Sequence, residues 1–445
     1  MMSTFFIALA SVLAGTLIAC VLGCLPGLHI YNVMGVIVLA VLSLADSGTV
    51  VPPLFYLPAM AGMVVGWSMV NTIPSVLLGT PDESALLTVL PGQKYLMSGR
   101  GYEGTMLTSV GGLAGAFFLI AVVAPFAPKF LPISQQVLKG HMHWVLWIII
   151  TFMLMSEWPK GGNRGRAGWA KFYDAWKTLL AGLATFILAG LLGFVVQYAS
   201  PVSHEVAFQN IMPAFVGLFA IPWCLLNMIS AADVPPQRLT KSLDLDGDII
   251  LRSVWSGGLG GSIAAYFPGV TGGVGGMLAG HACAQREERI FIMGQGVSKF
   301  IYYVGSFMLL FVPGLALTRG GGASLVKALY IPNGISDYYL ILGSIAIASA
   351  VSYLMMSPLA RLTLFLIGKF NYRHVSTFAL AIIVLMVYWM TGWVGLFIAA
   401  VACGIGLLPV LFGSRRLNCL GILLLPMACN MSGFGTTIAS FLGLA

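Results

Sequence analysis

Three short segments carry the residue types from which a ligand site inside a membrane is built. The first is Leu25-Pro26-Gly27-Leu28-His29-Ile30-Tyr31-Asn32, inside an uncharged run over residues 2–45. Proline removes a backbone donor and glycine loosens the chain, so a helix breaks here and a new one starts near His29. The first N–H groups of that helix have no partner within it and lie at the positive end of its dipole. They form a ready anion site, with His29 and Asn32 in the first turn. A plain proline kink with a hydrogen-bonded His29 explains the same residues without a ligand.

The second segment is Phe267-Pro268-Gly269-Val270-Thr271-Gly272-Gly273-Val274-Gly275-Gly276. It repeats the Pro-Gly break and places Thr271 where the first copy has His29. Glycines such as Gly272 and Gly273 let backbone N–H groups approach a ligand, or let two helices pack closely. The third segment runs from Asn71 to Ser84 and ends an apolar stretch with two carboxylates, Asp82 and Glu83. Thr80, Pro81 and Glu83 have the spacing of a capping box, which would make the carboxylates helix-start residues only. The functional alternative is a site for a coupling proton or sodium ion, as carboxylates beside broken membrane helices commonly provide. Lys299 follows a charged cluster by a few residues. It either snorkels to the membrane interface or pairs with a substrate anion.

The elements that position these residues follow from composition. Of 445 residues, 59% are hydrophobic and only 8% charged, where a soluble domain has roughly 25%. So few charges exclude a soluble enzyme and a disordered chain. Continuous rather than alternating apolar runs argue against a β-barrel. The expected fold is an all-α polytopic membrane protein with roughly 10–14 membrane segments, at about 20 residues per span. Some segments are broken or re-entrant at the Pro-Gly motifs. The first 93 residues contain no Lys or Arg, so a basic signal-peptide region is missing and the first apolar stretch reads as a retained helix. The basic segment 157–177 reads as a cytoplasmic loop, which places the chain as a multi-pass protein of the cell (inner or plasma) membrane. The net charge of +8 is scattered between spans and does not indicate nucleic-acid binding. The seven cysteines lack zinc spacing, and no nucleophile elbow, phosphate loop or dinucleotide fingerprint is present. No catalytic residues, metal site or cofactor are expected beyond the coupling ion.

Residues 12–32 and 254–274 align with an offset of 242, Pro26 on Pro268 and Gly27 on Gly269. Each half also has a second Pro-Gly, at 91–92 and 313–314. The chain therefore reads as a first transporter half over 1–232, a polar linker over 233–252 and a second half over 253–445. An inverted repeat is the favoured relation, and paired interruptions point to the transport site. The expected substrate-binding set is Pro26, Gly27, His29, Asn32, Asn71, Pro268, Gly269, Thr271, Gly272, Gly273 and Lys299. Asp82 and Glu83 form the ion-coupling set.

LPGLH at 25–29, IPSVLLGTPDESALLTVLPGQKYLMSGRGYEG at 73–104 and FPGVTGG at 267–273 resemble the large membrane subunit of the tripartite tricarboxylate transporters (TctA-like). The likeness is closest to the shorter, archaeal-type branch. It implies a permease with two related halves that takes up small carboxylates on a cation gradient. It also implies a small membrane subunit and an extracytoplasmic binding protein as partners; a homo-oligomer is compatible with it. The sequence departs from the usual permease at Pro91-Gly92-Gln93-Lys94-Tyr95, where an Asp-Gly-Tyr-Pro-like stretch is common. FPGVTGG more weakly resembles a stretch of the polyprenyl-phosphate translocases. That likeness implies a lipid-phosphate cargo as the alternative reading, with membrane lipids as partners.

Overall fold

The structure is a computed structural model that describes residues 2–80, 82–159, 168–202, 210–229, 234–283 and 287–444. Among these residues it is all-helical. Eight helices are long and apolar enough to cross a membrane, or nine if the bent pair Arg416–Met431 and Gly435–Phe441 is one span. The sequence windows suggest more because several apolar stretches fold as short helices, such as Ile30–Asp46. Part of the basic segment (160–167), Pro81 and Asp233 lie outside the described residues.

The chain divides into two compact units. The first comprises residues 1–136, 205–208 and 224–383, and the second 137–204, 209–223 and 384–445. Each half of the sequence contributes to both units, the first half re-entering the first unit at residue 224. The unit boundaries therefore cut across the division at 233–252.

In the first unit the first half supplies α1 (Met2–Leu22), α2 (Ile30–Asp46), α3 (Pro53–Val70), α4 (Thr72–Leu77), α5 (Leu86–Met97) and α6 (Gly101–Phe117). The second half supplies α7 (Gly247–Tyr266), α8 (Gly272–Ala282), α9 (Glu288–Phe300), α10 (Gly320–Leu329) and α11 (Ile335–Lys369). Helix α1 packs on α3, and α7 on α9. Helix α11 packs on α3, and α6 on α9. Helix α2 meets α10, and α5 meets α8. The two Pro-Gly breaks share a backbone turn. Gly27 has φ +79° and Gly269 has φ +75°, a left-handed conformation open chiefly to glycine. The second Pro-Gly pair does not match in this way. Pro313-Gly314 forms a turn, with Gly314 at φ +76°, but Pro91 lies inside α5. Pro91 is the sixth residue of that helix, so it removes one N–H from the ladder without ending the helix.

Lipid tails provide no hydrophobic drive between helices, so close backbone approach must hold the bundle together. At the α6–α9 crossing, Gly111 faces the Met293 carbonyl and Gly296 faces the Thr108 carbonyl, with no room for a Cβ at either. Gly260 and Gly275 meet in the same way where α7 crosses α8. Aromatic side chains, among them Trp67, Tyr303, Phe300 and Phe307, fill the core beside these contacts.

The second unit is organised by a buried acid. Glu157 accepts hydrogen bonds from the Arg415 backbone N–H at 2.6 Å and from Asn418 Nδ2 at 3.2 Å. The Arg416 guanidinium lies 4.1 Å from the centre of the Trp223 ring.

Overpacking a tight crossing costs about 1–3 kcal/mol or more. Gly296→Leu should therefore lower the thermal midpoint in lipid nanodiscs by several degrees. Gly343→Ala, where an added Cβ meets nothing within 4 Å, should leave it unchanged.

Candidate functional site

The site grows from the segment that joins α4 to α5. Gly79 turns with φ +65°, and the Thr80 N–H and Oγ1 both donate to the Pro74 carbonyl, at 3.2 and 3.3 Å. The capping box suggested by Thr80 and Glu83 does not form. Helix α5 starts later, at Leu86, and Asp82 organises its approach. Asp82 Oδ1 accepts from the Ser84 N–H (3.1 Å), Ser84 Oγ (2.6 Å) and the Ala85 N–H (2.9 Å). The other Asp82 oxygen and the Glu83 side chain point into the core, and Glu83 is buried.

Lys299 on α9 reaches the same point. Its ammonium lies 3.0 Å from Asp82 Oδ2 and donates to Asn71 Oδ1 at 2.8 Å. It is only 1% exposed, so it does not snorkel to an interface. One turn further on, the helix relaxes into a π-helical stretch, Ile301–Gly305. Such bulges are frequent at functional sites, and this one carries Tyr303. The Tyr303 hydroxyl is 3.1 Å from Asp82 Oδ2 and 2.8 Å from Glu83 Oε1. Its one proton is shared between two carboxylates.

The first Pro-Gly break brings in His29. Its Nδ1 accepts from the Tyr31 N–H at 3.2 Å and so caps α2. A ring nitrogen that accepts carries no proton, which places the proton of neutral His29 on Nε2. Nε2 lies 3.3 Å from the Tyr303 hydroxyl and 3.7 Å from Glu83 Oε1. Rings of Tyr31 and Trp67 flank the imidazole at centroid distances of 4.5 and 5.4 Å.

The second break arrives from the opposite direction in the sequence. Gly272 opens α8, and the position of a Cβ there would lie 3.4 Å from Lys299 Cα and 3.5 Å from Ser84 Cβ. Gly273 faces the Glu83 and Ser84 carbonyls. Ser298 Oγ donates to the Gly272 carbonyl at 3.0 Å, which ties the start of α8 to the turn of α9 that bears Lys299.

Of the sequence-derived set, the structure thus brings His29, Asn71, Asp82, Glu83, Gly272, Gly273 and Lys299 to one place. Pro26, Gly27, Pro268 and Gly269 make the turns and do not touch the cluster with a side chain. Asn32 and Thr271 lie in the first turn or cap of the two helices that point at it. Both are buried, and neither Asn32 side-chain atom nor Thr271 Oγ1 has a partner among the described residues. Trp67 Nε1 is in the same condition. An unsatisfied buried polar group costs about 1–3 kcal/mol, so these donors and acceptors favour a polar ligand. Sequence reasoning missed Tyr303, Tyr31, Trp67 and Ser84. The one available signal was Tyr303 four residues after Lys299, on the same helix face.

Arg100 and Glu103 pair as their spacing suggests, with Nε donating to Oε2 at 2.8 Å. Arg319 donates to the Tyr266 carbonyl at 3.0 Å. Cys20 lies against Ser352, and among the described residues no group of three His, Cys, Asp or Glu side chains could hold a metal ion.

Comparison with known proteins gives a consistent result. A family model described as Tripartite tricarboxylate transporter TctA family matches residues 9–421. Uncharacterized protein MJ1079 of Methanocaldococcus jannaschii is 24% identical over 421 residues, covering 93% of this chain and 96% of that protein. No solved structure matches.

Removing one partner of a buried ion pair costs about 3–5 kcal/mol, because the other charge is left stranded. Lys299→Met should therefore destabilise the protein strongly in thermal unfolding. Adding Asp82→Asn to that variant should recover most of the loss.

Proposed function

The chain belongs to the tripartite tricarboxylate transporter TctA family, and on that premise we propose that it is a secondary active permease for a small organic carboxylate. Membership in a transporter family, together with eight apolar helices, favours a multi-pass transport protein over an enzyme. The observation that carries the reading is the meeting of both Pro-Gly breaks at one buried ionisable cluster.

Two helix N-termini, those of α2 and α8, contribute partial positive charge to this place. The unpartnered side chains of Asn32 and Thr271 offer donors to a carboxylate. Asp82 and Glu83 are the groups on which a coupling cation, proton or sodium, would sit. Two carboxylates stand against one ammonium at the cluster. A cation arriving at the carboxylates reduces that excess and makes the neighbourhood more hospitable to an anion. This is the thermodynamic basis of symport: each ligand improves the site for the other.

In this reading the two halves are inverted repeats that rock about the cluster, and the protein acts in the cell membrane. The tripartite family suggests a small membrane subunit and an extracytoplasmic binding protein as its partners.

The test is uptake of radiolabelled citrate, succinate and acetate into proteoliposomes under an inward proton or sodium gradient, with and without the partner subunits. Uptake of at least one probe should collapse when an ionophore dissipates the gradient. No uptake of any probe, with partners present, would overturn the proposal.

A further inference from the structure

We propose that Lys299 is an exchangeable counter-ion: Asp82 holds it in the ligand-free protein, and it passes to the carboxylate of the substrate when a proton neutralises the Asp82–Glu83 pair. This inference deepens the permease reading and rests on it. It assigns the coupling role to a proton and the anion-recognition role to a lysine that the structure shows engaged by Asp82 and Asn71.

The argument starts from hydrogen-bond capacity. Asp82 Oδ1 is engaged by three donors of the 82–85 turn, and Oδ2 by Lys299 and Tyr303. A metal cation needs several oxygens facing it at once, and those of Asp82 are already committed. A proton needs one lone pair and no shell. It can reach Glu83 along groups already in line, His29 Nε2, the Tyr303 hydroxyl and Glu83 Oε1, separated by 3.3 and 2.8 Å: His29 takes up a proton at Nδ1, releasing the Tyr31 N–H, as Nε2 gives its own to Tyr303 and Tyr303 gives its hydrogen to Glu83. The proton then sits on a carboxylate oxygen, and Tyr303 can turn its own hydrogen to the remaining carboxylate.

The second step concerns Lys299. With both carboxylates charged, its ammonium is fixed between Asp82 and Asn71. An anion approaching at this stage would meet two negative charges and a positive one already paired. Once the acidic pair carries a proton, the pull on the ammonium falls. The lysine can then turn its donors toward a carboxylate held at the α8 N-terminus, where Gly272 lies beside it. Asn71, the second partner of the ammonium, is neutral and can keep one donor throughout. A single ammonium matches a single carboxylate group of the substrate.

Few other charges compete. The ionisable groups facing Lys299 and Asp82 are Glu83, His29, Tyr31, Tyr302 and Tyr303. On the elements packed against α9, Lys94 pairs with Glu288 and Arg100 with Glu103; Arg252 pairs with Asp248 and Arg289 with Asp244 and Glu287. His281, in the last turn of α8, bonds the Met277 carbonyl.

The test is titration calorimetry of the full chain in nanodiscs with citrate, succinate and acetate. Each titration is run in HEPES and in Tris at the same pH, so that the difference in heat counts protons. Anion binding by the wild type should take up about one proton, and affinity should fall about tenfold per pH unit as pH rises. Asp82→Asn should bind the same anion with little proton uptake and a flattened pH profile. Lys299→Gln should weaken binding at least about tenfold, and Lys299→Arg should restore part of it. Wild-type binding without proton uptake would overturn the inference while leaving the permease reading intact, as would unchanged affinity in Lys299→Gln. Anion transport in proteoliposomes that follows a sodium gradient and ignores a proton gradient would also overturn it. Failure of every anion to bind wild-type protein under all conditions would overturn the permease reading itself.

Discussion

A lysine ammonium buried beside an aspartate sets the terms for much of the first unit. Moving either charge out of water costs several kcal/mol, and that cost is offset only when both partners and their remaining hydrogen-bonding atoms are satisfied. The requirement is met by elements far apart in sequence. The turn at 82–85 saturates one oxygen of Asp82, Asn71 at the end of α3 takes the ammonium, and the bulged end of α9 brings in Tyr303. Each of these depends on helices crossing closely enough for short side chains to meet. The glycines at the α6–α9 and α7–α8 crossings permit that approach. Glycine abundance and scarcity of charge are therefore two sides of one constraint.

The same cluster connects fold to chemistry. A helix that breaks within a membrane leaves polar backbone exposed, which is tolerable where it is buried in protein or lines a cavity. Here the two breaks open α2 and α8, and the helices that follow them start beside the acidic turn. His29 caps one start through its side chain, whereas Thr271 caps the other without a side-chain hydrogen bond. The asymmetry matters. One break is closed by an aromatic, hydrogen-bonding residue that also touches Tyr303, and the other presents bare glycine backbone and an unpartnered hydroxyl. The two breaks thus present different groups to the acidic turn.

Much of this was legible in the sequence because the signals are local. Pro-Gly inside an uncharged stretch announces a break, and a positive-φ glycine is found at both, Gly27 and Gly269. Carboxylates at the end of an apolar run are conspicuous in a chain with so few charges. What could not be read was the assembly. Nothing local shows that Asp82 meets Lys299 across 217 positions of chain (299 − 82). The capping-box spacing at Thr80 was misleading because Gly79, with its positive φ, turns the chain and delays α5 to Leu86. Pro91 belongs to a Pro-Gly pair like the breaks, but α5 continues through it. Tyr303 was hidden among many apolar-facing aromatics, and only the bulge after Phe300 sets it apart.

The meeting of the second break with the acidic turn is the central claim, and a cross-link tests it most directly. The Cβ of Ser84 and the Cβ position at Gly272 are 3.5 Å apart, within the range spanned by a disulfide. In a background freed of the seven native cysteines, Ser84→Cys with Gly272→Cys should form a disulfide on mild oxidation in membranes. The bond would join the two halves after cleavage between them, and reductant would separate them. Failure to cross-link, with both cysteines shown to be present and a distant control pair behaving identically, would contradict the account.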